Sequence, residues 1–287
     1  MSAPSHSQGS ATAAAAHPLS RAWLERPYPA VMGVLNVTPD SFSDGGNFTT
    51  PARALAQARR MIFEGADMID IGAESTRPYT GAEAVSAEDE LARLRPVLSD
   101  VVALGVPVSI DSMKAEVVRF ALDQGAQIAN DVWGLQRDPE MAVLIAERNV
   151  PVIVMHNRDD VDDTIDIMKD VVDFFARSLD IAAKAGIPDG NIVLDPGIGF
   201  GKSPAQSMTM LERLSELSVF GRPLLVGASR KRFIASVVPS EPQARLGGSI
   251  AAHLIAAQHG ANIIRAHDVA ETMQALRVAA AIEAQKG

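Results

Sequence analysis

The 287-residue chain predicts an α/β fold and, within that class, a (β/α)8 barrel. Three observations carry this expectation. Short apolar runs alternate with longer segments of helical period from Pro29 to the C-terminus, which is the pattern of βα units. The apolar runs can be numbered one to eight. Polar side chains able to do chemistry stand at or just after the end of each.

Taken in order, the runs are residues 31–37, 68–72, 107–110, 127–129, 150–155, 192–194, 223–226 and 262–264. Between them lie Ala-, Leu- and Glu-rich stretches, among them 51–64, 87–104, 164–185 and 243–258. Each is long enough for the crossover helix that a parallel strand pair needs. Eight repeats over about 250 residues suit a closed barrel better than a doubly wound sheet, the alternative for this pattern. The first strand ends in Asn36, the second reaches Glu74 and Arg77, and the third ends in Asp111. The fourth gives Asn130 and Asp131, the fifth His156 and the sixth Asp195. The seventh leads to Ser229, Arg230 and Lys231, and the eighth carries Arg265, His267 and Asp268. One polar residue after a strand is ordinarily a turn former. Polar ends on all eight predict a densely polar pocket where the loops converge.

Composition narrows the function classes. Hydrophobic residues make up 47% and charged residues 21%, a globular balance. A formal net charge of −9 with no basic tract argues against nucleic acid as a partner. It also requires any anionic substrate to be held by a few well-placed cations. With no cysteine, disulfides, thiolate metal sites and cysteine nucleophiles are excluded. No stretch approaches the roughly 20 apolar residues of a membrane span, so no membrane partner is expected and a cytoplasmic location is. Residues 1–27, rich in Ala and Ser without a basic start, read as a disordered leader, and 28–287 as one catalytic domain.

Two motif-like strings are set aside. Gly197-Ile198-Gly199-Phe200-Gly201-Lys202-Ser203 has the look of a phosphate loop, but Pro196 stands where the first glycine is required. Residues 159–163 have the acidity of a calcium loop without its glycine or closing glutamate, and read as a solvated turn. Three strings are informative. Residues 32–46 run from a strand into a long loop with Pro39, Asp40, paired Gly45-Gly46 and one aromatic, Phe42, suited to a lid. In Asp70-Ile71-Gly72-Ala73-Glu74-Ser75-Thr76-Arg77-Pro78, an arginine beside a proline-stiffened turn suits bidentate capture of phosphate. In Leu194-Asp195-Pro196-Gly197, a carboxylate at a strand end costs several kcal/mol to bury unless donors surround it. The N–H and NH2 edge of an aminopyrimidinone is such a partner; a structural cap of the next turn is the other reading of Asp195.

Together with Ser109-Ile110-Asp111-Ser112, Asn130-Asp131-Val132 and Arg265-Ala266-His267-Asp268-Val269, these strings resemble the dihydropteroate synthases over nearly the whole barrel. The resemblance implies condensation of a dihydropterin diphosphate with p-aminobenzoate, with Mg2+ as cofactor and a homodimer as the assembly. It assigns Asp111, Asn130, Asp195 and Lys231 to the polar edge of the pterin, and Met155 and Phe200 to its faces. It gives the diphosphate to Asn36, Arg77, Arg265 and His267, with Asn36 also a magnesium ligand. It places the aminobenzoate near Phe42, Thr76, Pro78, Phe200 and Ser229. Asn36, Arg77, Asp111, Lys231, Arg265 and His267 form the implied catalytic set.

Three positions depart from the family pattern. His156-Asn157-Arg158-Asp159 replaces the common His-Met followed by glycine, Tyr79-Thr80 looks like a small insertion, and Arg232 follows the Ser-Arg-Lys triplet. Pterin-binding methyltransferases share the Asp and Asn positions, but a methyl donor has no diphosphate for Arg77, Arg265 and His267 to neutralise. A non-catalytic pterin-binding paralogue would not need Asn36, Arg77, Lys231 and Arg265 together. Metal-dependent hydrolase barrels need clustered histidines, and the six here are scattered. The apolar stretches at 251–257 and 278–282 suit either barrel packing or a dimer face.

Overall fold

The computed structural model describes residues 25–38, 50–74 and 85–286. Phe42, Thr76, Arg77, Pro78, Tyr79 and Thr80 lie outside them, as do residues 1–24 of the stretch read as leader. Arg26, within that stretch, is tied into the barrel by two hydrogen bonds to Asp67, of 2.9 and 2.8 Å.

Every apolar run becomes a strand: β1 (Ala30–Asn36), β2 (Met68–Gly72), β3 (Val108–Asp111), β4 (Ile128–Asp131), β5 (Val152–Met155), β6 (Ile192–Asp195), β7 (Leu225–Val226) and β8 (Ile263–Ala266). Several extend one or two residues past the apolar limit, because the ladder uses backbone groups and admits Asp111, Asn130, Asp131, Asp195 and Arg265 as readily as valine. All ladder pairings are parallel, in the order β6-β5-β4-β3-β2-β1-β8-β7. A parallel bridge between Leu194 and Leu224 joins the two ends, giving a nearly closed (β/α)8 barrel.

The helices that intervene are α1 (Thr50–Phe63), α2 (Ala87–Leu94), α3 (Leu98–Val102), α4 (Ala115–Asp123), α5 (Pro139–Arg148), α6 (Ile167–Ala185), α7 (Pro204–Glu212), α8 (Arg232–Val237), α9 (Leu246–Gln258) and α10 (Val269–Glu283). The single helix expected over 87–104 is broken in two. Arg95 remains helical, but Pro96 has no N–H to donate and Val97 leaves the helical region at φ −134°. The helix expected from 164 begins at Ile167, because Asp166 accepts from the N–H groups of Met168 and Lys169 and caps it there. Over 159–163 the acidic turn is mostly exposed, and the Asp162 side chain accepts from Thr164, from its N–H and its hydroxyl.

The barrel interior is layered by the two-residue period of its strands. One layer is an apolar plug that includes Met32, Met68, Ile128, Ile153, Val193 and Ile263. Two residues further along the same strands stand Asp70, Asn130, Met155, Asp195 and Arg265. On β2, β4, β6 and β8 the step from plug to polar floor is therefore one side-chain repeat.

Candidate functional site

Above the plug is a narrow recess lined by Asp111, Asn130, Val132, Met155, Asp195, Gly197, Ile198, Phe200, Gly227, Lys231 and Arg265. Seven of these were expected from sequence, drawn from five different strand ends and two following loops. Asn36 stands at the end of β1, half-buried and in register with Gly72. Ser229 and His267 stand at the ends of β7 and β8 and touch each other.

Arg265 organises the floor. Its Nε donates to Asp70 Oδ2 at 2.6 Å and its Nη2 to Asp111 Oδ2 at 2.7 Å. Asn130 Nδ2 donates to the same Asp70 oxygen at 3.1 Å. Burial works against the guanidinium charge, but Asp70 and Asp111 outweigh it and hold the pKa above the usual arginine value. Asp111 moves up to about 7, chiefly through burial, with Arg265 opposing and Asp70 reinforcing the rise. Asp195 rises to about 6 for the same first reason, with the Gly197 N–H at 2.8 Å, Lys231 and Arg265 opposing.

Asp70 was not singled out from sequence, although it is fully buried and joins β2 to β4 and β8. The available signal was a lone carboxylate inside the apolar run Met68-Ile69-Asp70-Ile71-Gly72, at an inward-facing position. Asp131, by contrast, faces its own turn: it accepts from Trp133 N at 2.9 Å and Leu135 N at 2.6 Å.

One wall of the recess is apolar. Val132, Met155 and Phe200 pack together, with Met113 and Trp133 behind them. Lys231 Nζ stands 4.0 Å from the Phe200 ring centre. The turn carrying Lys231 is strained, since Arg230 has φ 58°. It is held from three sides: Arg230 N donates to Ser249 Oγ at 2.9 Å, Arg230 O accepts from Arg245 Nη1 at 2.9 Å, and the Arg230 guanidinium pairs with Asp268. Arg232, the third departure, is exposed at the first position of α8.

His267 does not supply the cation expected of it. Burial first, then Arg265, Arg230 and Lys231, push its pKa down to about 3, so the imidazole is neutral at physiological pH. Ser229 Oγ accepts from His267 N at 3.2 Å and lies 3.0 Å from Nδ1, so its hydroxyl can donate there and leave the ring proton on Nε2. Among the described residues no group of three or more His, Cys, Asp or Glu side chains is placed to hold a metal ion.

Three buried acceptors on the floor, Asp70 Oδ1, Asp111 Oδ1 and Asn130 Oδ1, have no hydrogen-bond partner among the described residues, and Asp111 and Asn130 line the recess. Each such atom costs about 1–3 kcal/mol. An acceptor-rich slot beside an apolar wall suits a flat ligand with several N–H donors on one edge.

The sequence model of the pterin-binding enzymes matches residues 32–267. The dihydropteroate synthase of Bacillus subtilis is 46% identical over 240 residues, 83% of each chain. The chain belongs to the pterin-binding enzyme family. Within the pterin-binding enzymes, the dihydropteroate synthase of Xanthomonas albilineans solved with 4-aminobenzoic acid superposes with a TM-score of 0.86 at 46% identity, covering 91% of this chain and 94% of that one. The same enzyme solved with 7,8-dihydropteroate gives 0.82 at 44%, covering 91% and 95%. The family and the barrel expected from sequence are thus both borne out.

Replacing Arg265 by Met should strand Asp70 and Asp111 without their cation and cost about 3–5 kcal/mol of stability near pH 8. Asp111, already raised to about 7, takes up a proton as pH falls, so the loss should shrink by about pH 5.5. Urea unfolding of the two proteins at both pH values measures the difference; an equal loss at both would contradict it.

Proposed function

We propose that the chain condenses 6-hydroxymethyl-7,8-dihydropterin diphosphate with p-aminobenzoate, giving 7,8-dihydropteroate and diphosphate. The observation that carries the substrate is the set of buried acceptors on Asp111, Asn130 and Asp195, facing a slot walled by Met155 and Phe200. The pterin edge presents N–H and NH2 donors side by side, which is the complement of that set. Asp195 and Asn130 bind this edge, Asp111 and Lys231 complete it, and Met155 and Phe200 pack against the ring. The names of the relatives support the same reaction.

The pterin carries its diphosphate on a CH2–O bond beside an electron-rich ring, so that bond can break with both electrons leaving on oxygen. The cation left behind is delocalised over the pterin; the aniline nitrogen then forms the new C–N bond and sheds a proton. The barrier falls chiefly by stabilising the departing diphosphate. Asn36, Arg77 and the Nη1 edge of Arg265 hold it, and His267 donates from Nε2 as a neutral group. Phe42, Thr76, Pro78 and Ser229 would enclose the aminobenzoate beside Phe200. Asn36 fits a magnesium site of the kind in which substrate phosphates and water supply most oxygens and the protein only one or two. Mg2+ held there supplies further neutralisation of the diphosphate.

The assembly is a homodimer through the outer face of α9 and α10, where Ile255, Val278 and Ile282 are 43%, 53% and 62% exposed. None of the helices among the described residues is long and apolar enough to cross a membrane; a cytoplasmic location fits the relatives' metabolic role.

Product formation from the two substrates and Mg2+ tests the reaction. Asp195→Asn should raise the KM for the pterin about a hundredfold, because an amide N–H then faces donors. Wild-type affinity for the pterin should fall as pH drops through about 6, where Asp195 takes up a proton and loses an acceptor. No product from the wild type would sink the proposal.

Diphosphate released slowly without p-aminobenzoate, with water trapping the pterin cation, is the expected sign of ionisation before attack. Release strictly dependent on p-aminobenzoate would point to direct displacement. For the dimer, Ile255→Glu with Ile282→Glu should yield monomers in sedimentation where the wild type sediments as a pair. A monomeric wild type at micromolar concentration would refute that assembly.

A further inference from the structure

Lys202, which closes the glycine string after β6 that mimics a phosphate loop, is absorbed by neither the diphosphate nor the pterin contacts. In a phosphate loop the terminal lysine reaches outward to an anion. Here Lys202 turns inward and is 1% exposed. Its Nζ donates to Gly197 O at 2.9 Å and Phe200 O at 3.1 Å, and lies 2.6 Å from His156 Nδ1. Three N–H groups thus meet three acceptors. With Nδ1 accepting, the ring proton of His156 sits on Nε2, which lies 3.0 Å from Asp170 Oδ2. Burial and then Lys202 push His156 down to about 4, consistent with a neutral ring. Burial likewise pulls Lys202 down to about 7, with Asp195 and Asp170 working against it.

The glycines permit the tight packing that this arrangement needs. Gly197 has φ 65°, and a Cβ there would stand 2.0 Å from His156 O. Gly201 has φ 55°, and a Cβ would meet Arg158 O at 2.6 Å. The β6 loop is therefore pressed against the β5 loop backbone, with the lysine ammonium closing it from within. The two carbonyls it holds belong to residues of the recess: Gly197, whose N–H donates to Asp195, and Phe200, which forms the apolar wall.

We propose that Lys202 is a positioning residue for the pterin, locking Asp195 and Phe200 in place through the carbonyls of Gly197 and Phe200, with His156 and Asp170 as its outer anchor. The inference rests on the pterin reading above. Lys202 touches no reacting atom. Asp170 sits at the far end of the chain, its side chain 35% exposed, so changing it leaves the core intact.

The test compares the wild type with Lys202→Met and Asp170→Asn, using calorimetric titration with 6-hydroxymethylpterin, which lacks the diphosphate, and steady-state kinetics. Lys202→Met should weaken pterin binding about tenfold or more, and Asp170→Asn about threefold to tenfold. In Asp170→Asn the KM for the pterin diphosphate should rise while kcat changes less than about twofold, because the reacting centre is untouched. Should Lys202→Met fail to fold, Asp170→Asn carries the test alone. Pterin binding within about twofold of wild type in the folded variants, or a fall in kcat with an unchanged KM, would overturn the proposal. A wild type that binds no pterin would overturn the functional reading and this inference with it.

Discussion

The ion triad of Arg265, Asp70 and Asp111 is the constraint around which the rest of the site is arranged. It joins β8 to β2 and β3 across the barrel axis, directly above an apolar plug. Two carboxylates and one guanidinium in a low-dielectric interior are tolerable only if the cation serves both acids at once, which the planar fork of Arg265 does through Nε and Nη2. Once Arg265 is committed in this way, the remaining oxygens on Asp111 and Asn130 face the recess without partners. The protein keeps a set of acceptors that only a donor-rich ligand can satisfy. Affinity and specificity then share one cause, since a ring without those donors leaves the same atoms buried and unpaired.

Around this floor, charge is distributed unevenly by design of the loops. Lys231 is held over Phe200 by a strained turn, and three separate contacts to Arg230 sustain that strain. His267 is neutral because three cationic side chains surround a buried ring. An imidazole of this kind can donate to an arriving anion without competing with it for counter-charge beforehand. In the proposed reaction, growing negative charge on the departing diphosphate would lower the cost of protonating that ring, so the same residue would respond to charge development in the transition state.

Much of this was legible in the chain, and the limits have physical reasons. The eight strands were found because barrel strands, buried on both faces, are near-continuous apolar runs. Their ends were misjudged by a residue or two where Asp111, Asn130 and Arg265 continue the ladder, because hydropathy sees side chains and the ladder does not. The recess residues on β3, β4, β6 and β8 were identified because each follows an apolar run. Asp70, although part of an informative string, was given no role because it interrupts a run instead of ending it. The split of the helix at Pro96 was available from local rules, whereas the neutral state of His267 depends on burial and on cations brought together from the loop after β7 and from β8.

Lys202 illustrates a different limit. Its string has the glycines and the lysine of an anion-binding loop, and Pro196 alone excludes that motif in sequence. The structure gives those residues an opposite use. Positive φ at Gly197, Gly199 and Gly201 folds the loop around its own lysine, and the carbonyls turn inward to meet the ammonium. An anion-binding loop instead turns its N–H groups toward a ligand. Similar composition therefore builds either an external anion site or an internal cation site, according to which half of the peptide group faces the centre. In this barrel the second arrangement leaves the mouth near β6 to a carboxylate and an aromatic ring, while the cationic groups Lys231 and Arg265 come from the loop after β7 and from β8.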